Sequence, residues 1–192
     1  MKILALDTST EYCSAALWLD GEVRQRLEHA GQRHSLLLLP MVDALLSEAG
    51  VAPSALDAVA AAIGPGSFTG LRIATAVAQG LAFGADLPAI PVGTLDALAA
   101  GGDADDIVAC LDARMNEIYL AAFRRGTNGF DRVIPPTLAS PEALPELPRG
   151  QWAGCGNGFD RFDDCIAATW PQVRVIRDRH PEAAPRRSTL RG

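Results

Sequence analysis

Twice in this chain an apolar run of strand length delivers an aspartate into a tight turn, and a second strand then leads back. Ile3-Leu4-Ala5-Leu6-Asp7 is followed by Thr8-Ser9-Thr10-Glu11 and the run Cys13 to Leu19; Ile107-Val108-Ala109-Cys110-Leu111-Asp112 is followed by Ile118 to Phe123. A strand that ends on a carboxylate at a turn tightly limits its surroundings, because the apolar residues must be covered on both faces while the acid stays near the sheet end. Two such units 105 residues apart suggest a duplicated α/β lobe. Any strand ending in Asp before a turn has the same look, so pattern alone leaves both readings open.

Between the two units the sequence supplies the rest of a lobe. Asp20-Gly21 is a turn signal, and Glu22 to Leu27 alternates as a third strand. Ser35 to Ala49 reads as a helix stopped by Gly50, Leu56 to Ile63 as a buried strand, and Gly64 to Gly70 as a loop before a helix over Leu71 to Phe83. Ala89 to Val92 is a short strand leading to Thr94, a candidate cap for a helix over Leu95 to Ala99. Gly101-Gly102-Asp103 reads as a hinge, giving lobes at 1–102 and 103–178 and a tail at 179–192. Beyond Asn128-Gly129 the prolines at 135, 136, 141, 145 and 148 argue for an extended connection with at most a short helix. Gly154 to Gly158 reads as a turn, Phe159 to Thr169 as a helix and Val173 to Ile176 as a strand.

Composition excludes several classes. At 192 residues, 48% hydrophobic, the chain has enough apolar material for a core. Its apolar runs break well short of the roughly 20 residues a spanning helix needs, and its first residues lack the order of a secretory signal, so a cytoplasmic protein with reduced thiols is expected. The four cysteines form no CxxC pair. The net charge is −6, and six arginines cluster from Arg174 onward against Asp178 and Glu182, so the body is more acidic than the total. Such a body grips a phosphate backbone poorly unaided.

The candidate chemistry is sparse. Asp7, Thr8 and Ser9 sit where a strand end could meet a metal or phosphate, and Gly64, Gly66 and Ser67 precede a helix whose N-terminus could cradle an anion; turn formation and loop geometry explain the same residues equally well. It is not a P-loop, since Lys2 is the sole lysine. A helical metal pair starting at His34 would need a second histidine at position 38, which is leucine. Neither Ser67 nor Cys13 has an evident histidine and carboxylate setting. No cofactor and no metal are expected.

The helix after His34 carries Leu36, Leu37, Leu38, Leu39, Met41, Val42, Leu45 and Leu46, more than one buried stripe requires. The next helix mixes Ala74, Ala76, Ala78, Gly80 and Ala82 with Leu71, Ile73, Val77, Leu81 and Phe83, and its small residues let another backbone come close. The two helices read either as half of an intermolecular bundle or as a pair buried inside one domain. In the first reading the partner face comprises His34, Leu37, Leu38, Met41, Val42, Leu45, Arg72, Ile73, Ala76, Val77, Gly80 and Leu81.

Four segments together, Ile3 to Thr10, Arg33-His34-Ser35 leading to Leu39-Pro40, Gly64-Pro65-Gly66-Ser67-Phe68-Thr69-Gly70-Leu71-Arg72, and Asp112-Ala113-Arg114-Met115-Asn116-Glu117-Ile118-Tyr119, closely resemble the bacterial TsaB (YeaZ) family over about residues 1 to 178. The resemblance implies a two-lobed α/β fold of the actin, Hsp70 and sugar-kinase class, each lobe RNase H-like with a mixed sheet. It also implies a noncatalytic subunit that pairs with the transferase TsaD and, with the ATPase TsaE, supports N6-threonylcarbamoyladenosine formation at position 37 of tRNAs reading ANN codons, touching tRNA only through the complex. Homodimers in isolation belong to the same expectation. Asp7, Thr8, Ser9, Gly64, Gly66 and Ser67 would then be a vestigial nucleotide site. Family members continue with another helix where this chain turns polar and basic, so the second lobe is expected to be incomplete. The rival reading is an actin-like ATPase or phosphotransferase using Asp7, Thr8 and the Gly64 loop; a metal-dependent peptidase ranks last for want of its ligand pair.

Overall fold

A computed structural model describes residues 1–127 and 129–184. The chain divides into two compact units, the first comprising Met1–Ala97 with residues 182–184 and the second Leu98–Pro181.

In the first unit β1 (Lys2–Asp7), β2 (Tyr12–Leu19) and β3 (Glu22–His29) form an antiparallel meander, and β4 (Ala58–Gly64) and β5 (Ala89–Gly93) extend it in parallel, in the order β3-β2-β1-β4-β5. Helix α1 (His34–Ala49) joins β3 to β4, and α2 (Phe68–Ala85) joins β4 to β5. Leu4, Leu6, Cys13, Ala15, Leu17, Val59 and Ala61 line one face of the sheet and bury against Leu38, Val42, Leu45, Ala74 and Ala78 of the two helices. Small residues on α2 seat it close to the strands, and Gly50 ends α1 in the left-handed conformation at φ 63°. Helix α3 (Thr94–Ala100) follows β5 directly.

The second unit repeats this plan. Strands β6 (Asp106–Arg114), β7 (Glu117–Gly126) and β8 (Gly129–Ala139) are antiparallel, with β9 (Trp152–Cys155) and β10 (Val173–Ile176) parallel beyond β6, in the order β10-β9-β6-β7-β8. Strand for strand this is the first sheet again, so β1 and β6 occupy the same place in a duplicated lobe; β1 closes on Asp7, whereas β6 runs past Asp112 to Arg114 with a register shift between those two residues. Both sheets are mixed, three antiparallel strands with two parallel ones beyond.

Several expectations need correction. The proline-rich stretch after Asn128 begins as β8, which tolerates Pro135 and Pro136 because it is an edge strand whose pairing with β7 shifts register twice. Gly154 belongs to a buried strand, β9, and not to a turn; a Cβ there would sit 2.5 Å from the Phe159 ring. The helix over Phe159 to Thr169 is two short helices, α4 (Asn157–Arg161) and α5 (Asp163–Thr169), broken at Phe162. Thr94 is the first residue of α3 and not its cap, and its buried hydroxyl has no hydrogen-bond partner among the described residues. The division between units falls inside α3 and not at the glycine pair: Gly101 accepts a 2.8 Å bond from Arg179, and Gly102 packs on Ile107, both residues of the second unit. Residues 182–184, which the sequence places in the tail, pack on the first unit; 185–192 lie outside the described residues.

Among the described residues the second unit has five strands, matching the first. Where α1 stands in the first unit, it has the irregular segment 140–151, since Pro141, Pro145 and Pro148 deny it a helix. Two buried tryptophans tie that segment down: Trp152 Nε1 donates to Pro148 O at 2.8 Å and Trp170 Nε1 to Pro145 O at 3.0 Å.

These packing assignments separate neighbouring leucines on α1. Leu38 is fully buried and Leu36 is 71% exposed. Leu38→Ala should lower stability by about 2–5 kcal/mol in urea unfolding, whereas Leu36→Ala should stay within about 0.5 kcal/mol of the parent.

Candidate functional site

Two turns meet at the end of the first sheet, and the sequence dictates their fit. Asp7 closes β1 almost fully buried, and its Oδ1 accepts both the Ser9 N–H at 2.8 Å and the Ser9 hydroxyl at 2.6 Å. Thr8 Oγ1 donates to Gly70 O at 2.6 Å, and Ser67 N–H donates to Ser9 O at 2.7 Å. Ser67 caps α2, its Oγ accepting Gly70 N–H at 3.2 Å. Backbone therefore lies directly on backbone: a Cβ on Gly66 would come within 2.5 Å of Ser9 O, and one on Gly70 would overlap Thr8 O.

This arrangement brings together Asp7, Thr8, Ser9, Gly66 and Ser67, with Gly64 at the end of β4. It also engages several of the groups that could otherwise meet a phosphate. The hydroxyls of Thr8 and Ser9, the Ser67 amide and the Gly70 amide are all spent on other groups of the same two turns. Burial pushes the Asp7 carboxyl above the ordinary carboxylate range, against the two bonds from Ser9, which favour its charged form. Nucleophile chemistry finds no support at Cys13 either, because burial pushes its thiol up to about 11 and so holds it protonated at neutral pH. Cys110 and Cys155 are buried thiols as well.

The matching turn of the second unit is built from different groups. Asp112 N–H donates to Asn157 Oδ1 at 3.0 Å, and the Asp112 carboxylate meets Arg161 at 3.3 Å and the Arg114 amide at 2.9 Å. Arg114, Met115 and Asn116 all lie at positive φ, and Met115 stands almost fully exposed at the tip. Among the described residues, no group of three or more His, Cys, Asp and Glu side chains that could hold a metal is assembled.

The helices divide the expected partner face into two sets. On α1, Leu38, Met41, Val42 and Leu45 are buried in the unit's own core and cannot form an outer face; Leu37 is half-buried. His34 is buried too, with Nε2 2.9 Å from Thr10 O, and serves as a helix-start residue. The outward residues are instead Leu36 and Leu39, the latter 52% exposed. On α2, Arg72, Ala76 and Gly80 are exposed, and Ile73, Val77 and Leu81 are half-buried against the core. Phe83, absent from the expected face, is 92% exposed and continues the Arg72, Ala76, Gly80 row at helical spacing. The Arg72 guanidinium stacks over Phe68, 3.6 Å from the ring centroid. The i, i+4, i+8, i+11 spacing of that row is visible in the sequence and could have identified Phe83.

Two predictions arise here. Gly70→Ala should cost about 3 kcal/mol or more because the overlapped atom is backbone, whereas Gly80→Ala, with open space around its Cβ, should stabilise by up to about 1 kcal/mol; urea melts of both variants decide this. For Asp7, a raised folded-state pKa means stability declines as pH rises from its unfolded value near 3.8 through the folded one. Asp7→Asn should therefore be at least as stable as the parent at pH 7, with that advantage shrinking as pH falls toward 3.8.

Comparison with known proteins places this geometry in a family. The family model described as TsaD, tRNA N6-adenosine threonylcarbamoyltransferase, matches residues 28–161. The tRNA threonylcarbamoyladenosine biosynthesis protein TsaB of Escherichia coli is 41% identical over 174 residues, covering 85% of this chain and 74% of its own length. Its Haemophilus influenzae namesake is 48% identical over 175 residues, covering 84% of this chain and 74% of its own. The crystal structure of YeaZ from Pseudomonas aeruginosa superposes with a TM-score of 0.85 at 35% identity, over 95% of this chain and 86% of that one. A further Pseudomonas aeruginosa structure, of an uncharacterized protein with similarity to peptidase YeaZ, gives 0.87 at 36% identity with the same coverage. With identity of this order over most of the chain and the same fold throughout, the chain belongs to the TsaB (YeaZ) family.

Proposed function

We propose that this chain serves tRNA threonylcarbamoyladenosine formation in the cytoplasm as a noncatalytic partner subunit. It docks on TsaD through the outer faces of α1 and α2, with TsaE joining the pair, and it reaches tRNA only within that assembly. The observation that carries this reading is the exposed apolar row on the two helices. Leu36 and Leu39 on α1 and Ala76, Gly80 and Phe83 on α2 are exposed, and exposed apolar residues on two neighbouring helices suit a contact surface. Gly80 and Gly84 have open space where a side chain would stand, so a partner helix can approach the α2 backbone closely. In the absence of TsaD, the same face would suit a second copy of the chain.

The enzyme rival, an ATPase or phosphotransferase, is not favoured, because the turn and loop it would use satisfy one another. No helix of the described residues is long and apolar enough to cross a membrane.

The interface test uses outward residues and spares the core. Ala76→Asp and Phe83→Asp, singly and together, should abolish co-elution with TsaD in gel filtration by 100-fold or more in affinity, which is about 2.7 kcal/mol, while far-UV spectrum and melting temperature stay at parent values. Unchanged co-elution by the double variant would refute the docking face. Calorimetry of the isolated chain with ATP and magnesium should give no binding heat; tight binding with turnover would favour the rival.

A further inference from the structure

The two sheets end in the edge strands β3, β5, β8 and β10. An edge strand turns alternate N–H and C=O groups outward, where another strand can pair with them, and folded proteins blunt such edges with charge, proline or irregular pairing. Strand β3 carries Glu22, Arg24, Arg26 and Glu28, β5 carries Pro91, and β8 carries Pro135 and Pro136 and shifts register against β7. Strand β10, Val173-Arg174-Val175-Ile176, differs. It contains no proline, pairs with β9 in unbroken parallel register, and has Arg174 as its single charged residue. Outside the sheet, and among the described residues, its backbone makes one bond, from Val173 N–H to Trp170 O at 3.0 Å.

Both faces of this open edge offer space. Val173 and Val175 pack with Phe159, Ile166 and Trp170 on the helix side, where a cavity of about 50 Å³ is walled by the same side chains. It suits a small aliphatic side chain. On the opposite face, to which Arg174 and Ile176 point by strand alternation, a wider cavity of about 430 Å³ is lined by Asp103, Arg174, Ile176 and Arg179. Charge decides what that one takes. Of the charged groups lining the two cavities, Asp163 is held by Arg177 at 2.5 Å and Asp103 by Arg179 at 3.8 Å, whereas the exposed Arg174 has no carboxylate partner among the described residues. Antiparallel pairing of two copies of β10 that keeps their helices on one side sets the two Arg174 side chains on one face, opposite or diagonal, so like charge argues against a second copy. An acidic strand has the complementary charge.

We propose that β10 is a strand-addition site for an extended segment of a partner protein, apolar and acidic at alternate positions. Main-chain bonds to the open edge hold the segment, its aliphatic side chains enter the cavity beside α5, and its carboxylates meet Arg174. The site uses neither α1 nor α2, so it goes beyond docking on TsaD through those helices.

An NMR titration of the isotope-labelled full chain at neutral pH tests this with three capped peptides: one alternating valine and glutamate, one alternating valine and lysine, and the glutamate peptide N-methylated at every interior amide. The glutamate peptide should shift the amides of Val173 to Ile176. The lysine peptide should bind about tenfold or more weakly, and the methylated peptide, which cannot pair, should leave those amides unmoved. Arg174→Glu, a change at an exposed side chain, should reverse the order of the glutamate and lysine peptides. No shift of these amides by the glutamate peptide at about 5 mM would overturn the site. Equal binding by the methylated peptide would overturn strand pairing, and equal binding by the lysine peptide would overturn the acidic partner. Concentration-dependent broadening confined to Val173 to Ile176 without peptide would put a second copy there instead.

Discussion

Close approach of backbone to backbone at the end of the first sheet sets the rest of the lobe. The Asp7 to Thr10 turn rests on the Gly66 to Gly70 loop with no side chain between them, and Thr8 and Ser67 bind across the contact. Only glycine permits that distance. Because Gly70 also lies in the first turn of α2, the contact fixes where that helix begins and which of its residues face the strands. Ala74, Ala78 and Ala82 then turn inward, and the row from Arg72 to Phe83 turns outward.

The duplicated lobe shows how far a topology constrains chemistry. Both units carry the same five-strand order, with an aspartate at or near the end of the same strand. In the first, Asp7 is satisfied by a neighbouring serine and sealed from water. In the second, Asp112 meets arginines near the surface, and Asn157 ties its backbone to the start of α4. The helix of one unit is a proline-broken segment in the other, held by tryptophan donors. Fold conservation of this kind depends on the apolar alternation of the strands, which both halves keep, and leaves the loops free to differ.

With the polar groups of the first site turned toward each other, the surface chemistry of that unit lies in its helices. A surplus of leucines on α1 is legible in the sequence, but which of them face outward is not: Leu38 is fully buried and Leu39 half exposed, though they are adjacent. Helical periodicity leaves the phase undetermined until the sheet is in place, because four consecutive leucines fit any rotation about the helix axis. For Phe83 the spacing from Arg72, Ala76 and Gly80 is legible in the sequence, and only the outward direction of that row waits for the helix to be seated on the sheet.

The amino-acid sequence by itself determined the two aspartate-ending strands, the meander that follows the first, the glycine loop before α2 and the family to which these motifs belong. Each of these rests on local signals: strand alternation, turn residues and a specific nine-residue stretch. Tertiary structure alone decided that Gly129–Ala139 is an edge strand in spite of its prolines, that Trp152–Cys155 is a central strand in spite of its glycine, that Thr94 begins a helix without capping it, and that residues 182–184 lie against β2 and β3. The physical reason is common to the edge strand, the buried glycine and the returning segment. Whether a proline, a glycine or a short polar segment is acceptable depends on which neighbour supplies the missing hydrogen bond or fills the missing volume, and such a neighbour can lie as far as 169 residues away in the chain.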